Sequence, residues 1–383
     1  MKPINQSTIS EDVIRPTRVE VDLNALRHNY RAIKKRVQPA KVMAVLKANA
    51  YGHGMVRVAQ LIESLGADYL GVAVLDEGIL LRQSGIQTPI LILGGILGNQ
   101  IPHFLKYNLA LTASSITKLD QINASAKSMG KKAKVHLKVD TGMERIGVHY
   151  YNAEDFILTA DNMSHLQVEG IFTHLANADA VDLNHARLQL ERFQNVLSIY
   201  NKNRIEPPPL QHIANAGGIL QLPESYFTMV RPGILLYGVY PSADVQKSVQ
   251  VKPALSWKSR VVYFKVIQPD HPVGYGSTWI SGKPVRAVTV PVGYGDGYFR
   301  SMSNKAKVLI RGKKYSEIGI ISMDQIVINI DQDSAFNNDE VILIGEQDGE
   351  KITVEDLADW AGTIPYEILT NINTRVPRIY LNE

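Results

Sequence analysis

The 383-residue sequence contains no cysteine, which excludes disulfide bonds, thiolate metal ligands and a cysteine nucleophile. It contains no run of 18 apolar residues, so a membrane-spanning helix is not predicted. The first residues, MKPINQSTISEDVIRP, lack the apolar stretch of a secretory signal. These absences together predict a cytoplasmic protein that does not use the membrane.

The net charge is also small. The 41 Lys and Arg residues and 37 Asp and Glu residues leave a formal net charge of +4, and the basic residues are interspersed with acids. This pattern does not predict a nucleic-acid partner. The histidines show no paired ligand spacing, so no metal site is predicted. With 45% hydrophobic and 20% charged residues, the composition is typical of a globular enzyme.

The length exceeds that of a usual single core, so two domains are expected. Short apolar segments alternate with amphipathic helical patterns in the first part of the chain. Eight of these segments are predicted to be strands, at residues 41–47, 68–74, 89–93, 109–113, 134–140, 168–174, 210–215 and 228–233. This alternation indicates a parallel sheet covered by helices, and eight strands close a (β/α)₈ TIM barrel. A doubly wound open sheet is the alternative.

The pattern changes in the last third of the chain, where strands are separated by Gly-rich turns. We therefore predict a barrel domain over residues 1–245 and a mainly β domain over residues 246–383. The N-terminal segment is expected to return near the C-terminal domain. A short helix is predicted in TVEDLADWAG, where Thr353 and Asp356 suit its N-terminus.

Polar side chains occur where the predicted barrel strands end, which is where barrel enzymes place their active sites. They are Lys47, Lys138, Asp140, His174, Asn215 and Arg231. Lys47 follows the apolar residues 42–46 and precedes ANAYGHG, a segment that extends neither a strand nor a helix easily. Such a lysine is either a solvated charge at a strand end or a nucleophilic amine that forms a Schiff base.

Nine segments, in this order, resemble the motifs of the alanine racemase family. They are AVLKANAYGHG, KVDTGMERIG, FTHLANAD, HIANAGG, MVRPGILLYG, VGYGSTW, PVGYGDGY, SMDQ and PYEILTNINTRVPRIY. The segments extend over both predicted domains. The resemblance implies an N-terminal barrel, a C-terminal β domain, pyridoxal 5′-phosphate (PLP) as cofactor and a homodimer. It also implies the interconversion of L- and D-alanine, which supplies D-alanine for bacterial peptidoglycan.

The resemblance implies two catalytic bases. Lys47 corresponds to the lysine that binds PLP and acts as one base, and Tyr275 in VGYGSTW corresponds to the other. Tyr275 is implied to act across the interface, from the partner subunit. Inversion requires the proton to return to the opposite face of the substrate, so two groups must flank it. His174 and Arg231 are candidates for the network that supports Tyr275. Taken alone, a tyrosine between two glycines is more often a turn residue.

The resemblance also implies a set of cofactor-binding residues. They are Lys47, Tyr51, His174, Asn215, Ala216, Arg231, Gly233, Ile234 and Tyr366. Arg231 corresponds to the arginine that faces the pyridine nitrogen of PLP. A guanidinium does not readily give up a proton, so the ring nitrogen would stay unprotonated and racemisation would be favoured over transamination.

The phosphate of PLP is expected to be held by Tyr51, Tyr366 and the backbone of Ala216, Gly233 and Ile234. The chain departs from the family at Ala216, where a serine is common. A hydroxyl contact to the phosphate is therefore lost, at a cost of about 1 kcal/mol if nothing replaces it.

Arg145 and the amide of Met323 correspond to groups that bind the substrate carboxylate, with Met323 acting across the dimer interface. Lys138 corresponds to a lysine that is carbamylated in many family members and orients Arg145; an ordinary ion pair is the alternative. Tyr294 and Tyr366 correspond to residues at the entrance, where two tyrosines would narrow the pocket towards small side chains.

Three other functions remain open. A related racemase would act on serine, lysine or a broad range of amino acids. A PLP-dependent decarboxylase shares the barrel and the lysine, although such enzymes commonly use a cysteine that this chain lacks. A PLP-binding homeostasis protein without turnover would resemble only the barrel part.

Overall fold

The computed structural model describes residues 15–383. This part of the chain divides into two compact units, which are described separately. The larger unit comprises residues 23–253, and the smaller comprises residues 254–383 together with residues 15–22. Within residues 15–383, no helix combines the length and the apolar character needed to cross a membrane.

The larger unit is built around eight parallel strands. The first strand of the described chain, β1 (Arg18–Asp22), belongs to the smaller unit. The strands that follow are β2 (Lys41–Val45), β3 (Tyr69–Val72), β4 (Ile90–Ile92), β5 (Ala110–Ala113), β6 (Ala133–Asp140), β7 (Val148–His149), β8 (Leu166–Phe172), β9 (Leu210–His212) and β10 (Met229–Val230). Of these, the two-residue β7 only pairs with the end of β6 and is not part of the eight.

The eight strands close into a barrel. They pair in the order of the sequence from β2 to β9, and β10 returns to pair with β2. The N–H of Thr228 donates to the carbonyl of Gln211 at 3.2 Å, and the N–H of Arg231 donates to that of Ala214 at 2.9 Å. These bonds join the β9 segment to the β10 segment. An open doubly wound sheet would instead reverse its strand order in the middle. The predicted (β/α)₈ barrel is therefore confirmed.

Helices cover the outside of the barrel, and a cluster of apolar side chains lies inside it. The helices are α1 (Leu23–Val37), α3 (Met55–Ser64), α4 (Leu75–Gln83), α5 (Ile101–Lys106), α6 (Ile116–Ser128), α7 (Ala153–Asp161), α8 (Asn184–Asn203) and α9 (Ala216–Gln221), and the short α2 (Lys47–Tyr51) is a left-handed turn. Met43, Leu91, Phe172, Leu210 and Met229 meet in one buried cluster. Burying each such side chain stabilises the fold by roughly 1.5–3 kcal/mol.

The smaller unit is mainly β, as predicted. Its further strands are β11 (Leu255–Arg260), β12 (Tyr263–Ile267), β13 (Pro272–Val273), β14 (Trp279–Ile280), β15 (Val285–Val290), β16 (Lys307–Ile310), β17 (Lys313–Glu317), β18 (Ile326–Asp331), β19 (Glu340–Gln347), β20 (Glu350–Ile352) and β21 (Arg378–Leu381). The main sheet has the order β12-β15-β18-β17-β16-β19-β11-β1-β21. Strand β1 pairs antiparallel with β11 and parallel with β21.

Two helices, α10 (Val354–Ala361) and α11 (Pro365–Asn371), belong to the smaller unit. The first confirms the helix predicted from TVEDLADWAG. The Thr353 hydroxyl accepts from the Asp356 N–H at 3.1 Å, and the Asp356 carboxylate accepts from the Thr353 N–H at 2.7 Å. This reciprocal pair satisfies two N–H groups that have no acceptor within the helix.

Candidate active site

Lys47 lies directly beyond the carboxyl end of β2, after the buried residues 42–46. Burial lowers the pKa of its amine, and the positive charges of Arg145 and Arg231 lower it further. The carboxylate of Glu77 acts in the opposite direction. A lowered pKa leaves more of the amine uncharged near neutral pH, which is the form that acts as a nucleophile or a base.

The backbone after Lys47 forms a left-handed turn. Its residues are Ala48 (φ 53°), Asn49 (φ 55°), Ala50 (φ 54°) and Tyr51 (φ 50°). Each residue with a side chain costs roughly 1–2 kcal/mol in this conformation. The turn brings Tyr51 into the interior, where its ring lies 4.9 Å from that of Tyr237, whose hydroxyl donates to the carbonyl of Val45 at 2.8 Å. The first residues of ANAYGHG accordingly form neither a strand nor a right-handed helix.

Lys138 lies near the end of β6 and is almost fully buried, with 3% of its surface exposed. Its amine lies 4.9 Å from the centre of the Phe172 ring. Burial, followed by the positive charges of Arg231 and Arg145, lowers the pKa of Lys138 to about 7. Near neutral pH a large fraction of this amine is therefore uncharged.

The loop that carries Arg145 is shaped by Asp140, the last residue of β6. The Asp140 carboxylate accepts the N–H groups of Gly142 at 2.8 Å and Met143 at 2.9 Å. It also accepts the N–H of Arg145 at 3.1 Å. Arg145 itself is exposed, so its guanidinium is accessible to a ligand.

Arg231 is buried and makes an extensive set of hydrogen bonds. Its guanidinium donates to His212 Nδ1 at 2.6 Å and to His174 Nδ1 at 3.2 Å. It also donates to the carbonyls of Thr173 at 2.7 Å and Ile213 at 3.1 Å. Burial lowers the pKa of Arg231 to about 9, so the side chain remains positively charged near neutral pH. Burial, together with that charge, holds the pKa of both histidines well below the usual range.

A third histidine, His136, extends this network inside the barrel. His212 accepts a hydrogen bond from Arg231 at Nδ1, so its Nε2 carries the hydrogen that is donated to His136 Nδ1 at 2.9 Å. Gly170 makes room for His136, because a side-chain carbon at Gly170 would lie 2.4 Å from His136 Nδ1. Burial lowers the pKa of His136 to about 3. The chain of neutral imidazoles therefore holds one orientation of the Arg231 guanidinium.

The predicted phosphate-binding residues lie where short helical segments begin. Ala216 starts α9, and Gly233 starts a 3₁₀ turn with φ 53°. Asn215 orients the first of these, because its side chain accepts the Gly218 N–H at 3.1 Å. The first N–H groups of a helix have no acceptor within the helix and attract anions. A side-chain carbon at Gly233 would lie 3.4 Å from the Tyr51 hydroxyl, so that hydroxyl lies beside the turn. These groups fit a phosphate.

The structure thus brings together the predicted site residues of the barrel unit. The charges of Arg231, Lys138, Arg145 and Lys47 all lower the pKa of His174, so these four cations lie near His174 at the carboxyl ends of the strands. An excess of positive charge there suits an anionic ligand.

The remaining predicted site residues lie in the smaller unit. Tyr275 starts a 3₁₀ turn, and 72% of its surface is exposed. The loops of Tyr294 and Met323 are hydrogen-bonded, since the N–H of Tyr294 donates to Ser322 O at 3.0 Å and that of Gly295 to Met323 O at 2.9 Å. Both side chains are exposed.

The turn that contains Tyr275 also lies close to the segment before Met323. A side-chain carbon at Gly276, next to Tyr275, would lie 3.4 Å from Ile320 Cδ1. The turn of Tyr275 therefore lies against the chain that leads to Met323. Tyr366 is the second residue of α11 and is partly exposed.

Three residues of the barrel site are not among those predicted from the sequence: His136, His212 and Glu77. His136 had a usable signal, because it stands between the apolar residues Val135 and Leu137 of β6, whereas His212 ends the three-residue β9 and has no such signal. Glu77 lies in the first turn of α4, where acidic residues are common for helical reasons alone. No sequence feature distinguishes it from such a residue.

A lysine beyond the first strand of a closed barrel, surrounded by cations and by N–H groups suited to phosphate, defines a class of barrel enzymes that act beside an anionic ligand. Comparison with known proteins specifies the family. Residues 21–241 match the model of the alanine racemase N-terminal domain, and residues 254–380 match that of the C-terminal domain. The chain belongs to the alanine racemase family.

Relatives cover nearly the full length. The chain is 44% identical to an alanine racemase of Carboxydothermus hydrogenoformans, over 96% of this chain and 100% of that protein. Among solved structures, an alanine racemase of Clostridium difficile 630 is similar with a TM-score of 0.90 and 38% identity, over 96% of each chain. One from Streptomyces lavendulae has a TM-score of 0.92 and 34% identity, over 97% of this chain and 98% of that one.

Proposed function

We propose that this protein is a PLP-dependent alanine racemase, which interconverts L- and D-alanine and supplies D-alanine for peptidoglycan. The observation that carries the proposal is the Lys47 amine, held at a strand end with a lowered pKa and flanked by cations. Membership of the alanine racemase family supports the choice of alanine. The cytoplasmic location stays a prediction.

The cofactor would be held by residues of the barrel site. Lys47 would bind PLP covalently, and Tyr51 with the backbone of Ala216, Gly233 and Ile234 would bind its phosphate. By family resemblance, Tyr366 would be a further phosphate ligand. PLP, when bound, supplies a ring that withdraws electrons and makes the substrate Cα proton acidic. Ala216 can offer only its amide, so any lost hydroxyl contact must be compensated by the other groups.

Arg231 would face the pyridine nitrogen. His212, His174 and two carbonyls all accept from its guanidinium, so every partner favours the charged form. A charged guanidinium has no lone pair to receive a proton and gives one up reluctantly. It would therefore keep the ring nitrogen unprotonated, which limits side reactions at the cofactor and favours racemisation.

Two bases would move the proton at the substrate Cα. Lys47 would serve one face, and Tyr275 from the partner subunit of a homodimer would serve the other. The high exposure of Tyr275 in the single chain supports this assignment, because a side chain that acts on a partner must project from its own subunit. Met323 would act across the same interface.

Arg145 would bind the substrate carboxylate, together with the amide of Met323. Tyr294 and Tyr366 would narrow the entrance and restrict the substrate to small side chains. A racemase of broader specificity is the alternative within the family. Relative turnover of alanine, serine and lysine distinguishes the two.

The direct test of the proposal uses purified full-length protein with PLP and L-alanine. We expect D-alanine to accumulate until both enantiomers are equal, measured by chiral chromatography. Serine and lysine should be turned over more slowly. A protein that binds PLP but leaves L-alanine enantiopure would instead match a homeostasis protein, and release of carbon dioxide would indicate a decarboxylase.

Carbamylation of Lys138 is a further part of the proposal. An uncharged amine adds to carbon dioxide and releases a proton, which yields a carbamate anion able to orient Arg145. Because burial and neighbouring cations lower the pKa of Lys138 to about 7, the reactive form should predominate above pH 7 and decline below it.

We therefore expect a carbamate carbon signal by NMR when the protein is equilibrated with ¹³C-bicarbonate at pH 8, and a weaker signal at pH 6. The Lys138→Arg variant, which cannot form a carbamate, is the control and should show none. Absence of the signal in the unaltered protein at pH 8 would favour an ordinary ion pair.

A further inference from the structure

The left-handed turn after Lys47 needs external support. Four consecutive residues with side chains adopt positive φ, which their own conformational preferences oppose. Within the turn, the N–H of Ala50 donates to Leu46 O at 2.8 Å, and that of Gly52 donates to Ala48 O at 3.1 Å. The N–H of Ala48, the residue next to the lysine, is bound by a side chain outside the turn.

That side chain is Glu77. One carboxylate oxygen, Oε1, accepts the Ala48 N–H at 2.6 Å. The other, Oε2, accepts the Ala73 N–H at 2.8 Å and the Val74 N–H at 3.4 Å. Ala73 and Val74 join β3 to α4, and β3 is the neighbour of β2 in the barrel. Glu77 therefore ties the turn of Lys47 to the end of the adjacent strand.

The negative charge of Glu77 also affects the pKa of the Lys47 amine. Burial lowers the pKa of the Lys47 amine, and Arg145 and Arg231 act in the same direction from two other loops. Glu77 is the group among the described neighbours that raises it. The Glu77 carboxylate thus binds the backbone N–H of the residue next to Lys47 and also raises the pKa of the Lys47 amine.

We propose that Glu77 is a positioning residue, which holds the left-handed turn that aims Lys47 and balances the cations around its amine. The proposal deepens the proposed function and rests on it, since Lys47 matters to turnover only if it is the catalytic amine. The alternative is that Glu77 only caps the N-terminus of α4, by accepting the N–H groups of Ala73 and Val74.

The test compares Glu77→Gln and Glu77→Asp with the unaltered protein. Glutamine keeps the shape but offers one acceptor oxygen and no charge, whereas aspartate keeps the charge with a shorter reach. The matched control is Asp76→Asn, which removes an exposed carboxylate from the preceding position of the same helix. All variants are studied as full-length protein.

Three measurements separate the roles. Hydrogen exchange by mass spectrometry reports the opening of residues 47–54. Competitive acetylation against pH, after hydroxylamine has removed any bound aldehyde, reports the titration of the Lys47 amine. Racemisation with added PLP gives kcat and KM.

In Glu77→Gln we expect exchange in residues 47–54 to become about tenfold faster, because a charge-assisted hydrogen bond is lost. The acetylation midpoint of Lys47 should move to lower pH, since the balancing negative charge is gone. The kcat should fall about tenfold or more with a smaller change in KM, because the amine is less precisely placed. Glu77→Asp should recover the acetylation midpoint but not the exchange rate, and Asp76→Asn should match the unaltered protein.

Unchanged exchange and an unchanged midpoint in Glu77→Gln would overturn the proposal, whatever the activity. Faster exchange without a shift of the midpoint would overturn its electrostatic half. If the unaltered protein does not racemise alanine, yet Glu77→Gln alters exchange and midpoint, the proposed function fails while the role of Glu77 in holding the turn stands.

Discussion

Replacing Lys47 with arginine is expected to lower the rate of alanine racemisation by about 10³-fold or more, since both covalent and acid–base catalysis are lost. Arginine retains the positive charge, but a guanidinium neither forms a stable Schiff base with PLP nor releases a proton near neutral pH. Borohydride reduction followed by peptide mass spectrometry should therefore find PLP attached at residue 47 only in the unaltered protein.

The chain offers a matched control at the opposite end of the same strand. Lys41 starts β2 and is exposed, so Lys41→Arg should leave racemisation and PLP attachment unchanged. Racemisation within tenfold of normal in Lys47→Arg, or PLP trapped on another lysine, would contradict the role assigned to Lys47.

Replacing Tyr275 with phenylalanine is expected to lower racemisation by roughly 10²–10⁴-fold, the usual contribution of a positioned acid–base group. The ring is retained and only the phenol oxygen is lost. We expect Tyr275 to act on L-alanine and Lys47 on D-alanine, so exchange of the L-alanine Cα proton with solvent deuterium should stop while exchange from D-alanine continues. Tyr263→Phe, at another exposed tyrosine of the same unit, is the control. If L-alanine exchange and racemisation both survive undiminished, the two-base assignment is wrong.

Mixing the two inactive variants tests whether the bases come from different chains. A heterodimer of Lys47→Arg and Tyr275→Phe subunits would contain one site with both bases intact if Tyr275 acts on the partner. Random reassociation should then restore about a quarter of normal activity, because half of the dimers carry one intact site of two. No recovery, in a mixture shown to form heterodimers, would place both bases on one chain.

Much of the barrel was predictable because its strands are continuous apolar segments. The polar residues that interrupt the pattern at strand ends, such as Lys47, Asn215 and Arg231, were therefore conspicuous in the sequence. The parallel topology then required them to meet at one end of the barrel. The common position of these residues follows from the order and direction of the strands alone.

Other features depend on contacts between distant parts of the chain. His136 and His212 lie in different strands and meet only when β6, β8 and β9 align. Strand β1 likewise finds its partners, β11 and β21, more than 200 residues along the sequence. Pairing at such separation depends on tertiary packing rather than on local preference.

The left-handed turn could not be predicted for a different reason. Glycine is the residue that usually indicates positive φ, and Ala48, Asn49 and Ala50 carry side chains. A hydrogen bond from the Ala48 N–H to Glu77, which lies outside the segment, supports this conformation. Local sequence preference therefore points away from the observed structure.

This turn also limits how the protein can be engineered. Glycine at position 48 or 50 would relieve the steric penalty that alanine incurs there, because glycine adopts positive φ at no steric cost. The same substitution would make the backbone next to Lys47 more flexible. A gain in stability and the exact placement of the Lys47 amine are thus opposed at these positions. A search for thermostable variants should therefore leave them unchanged.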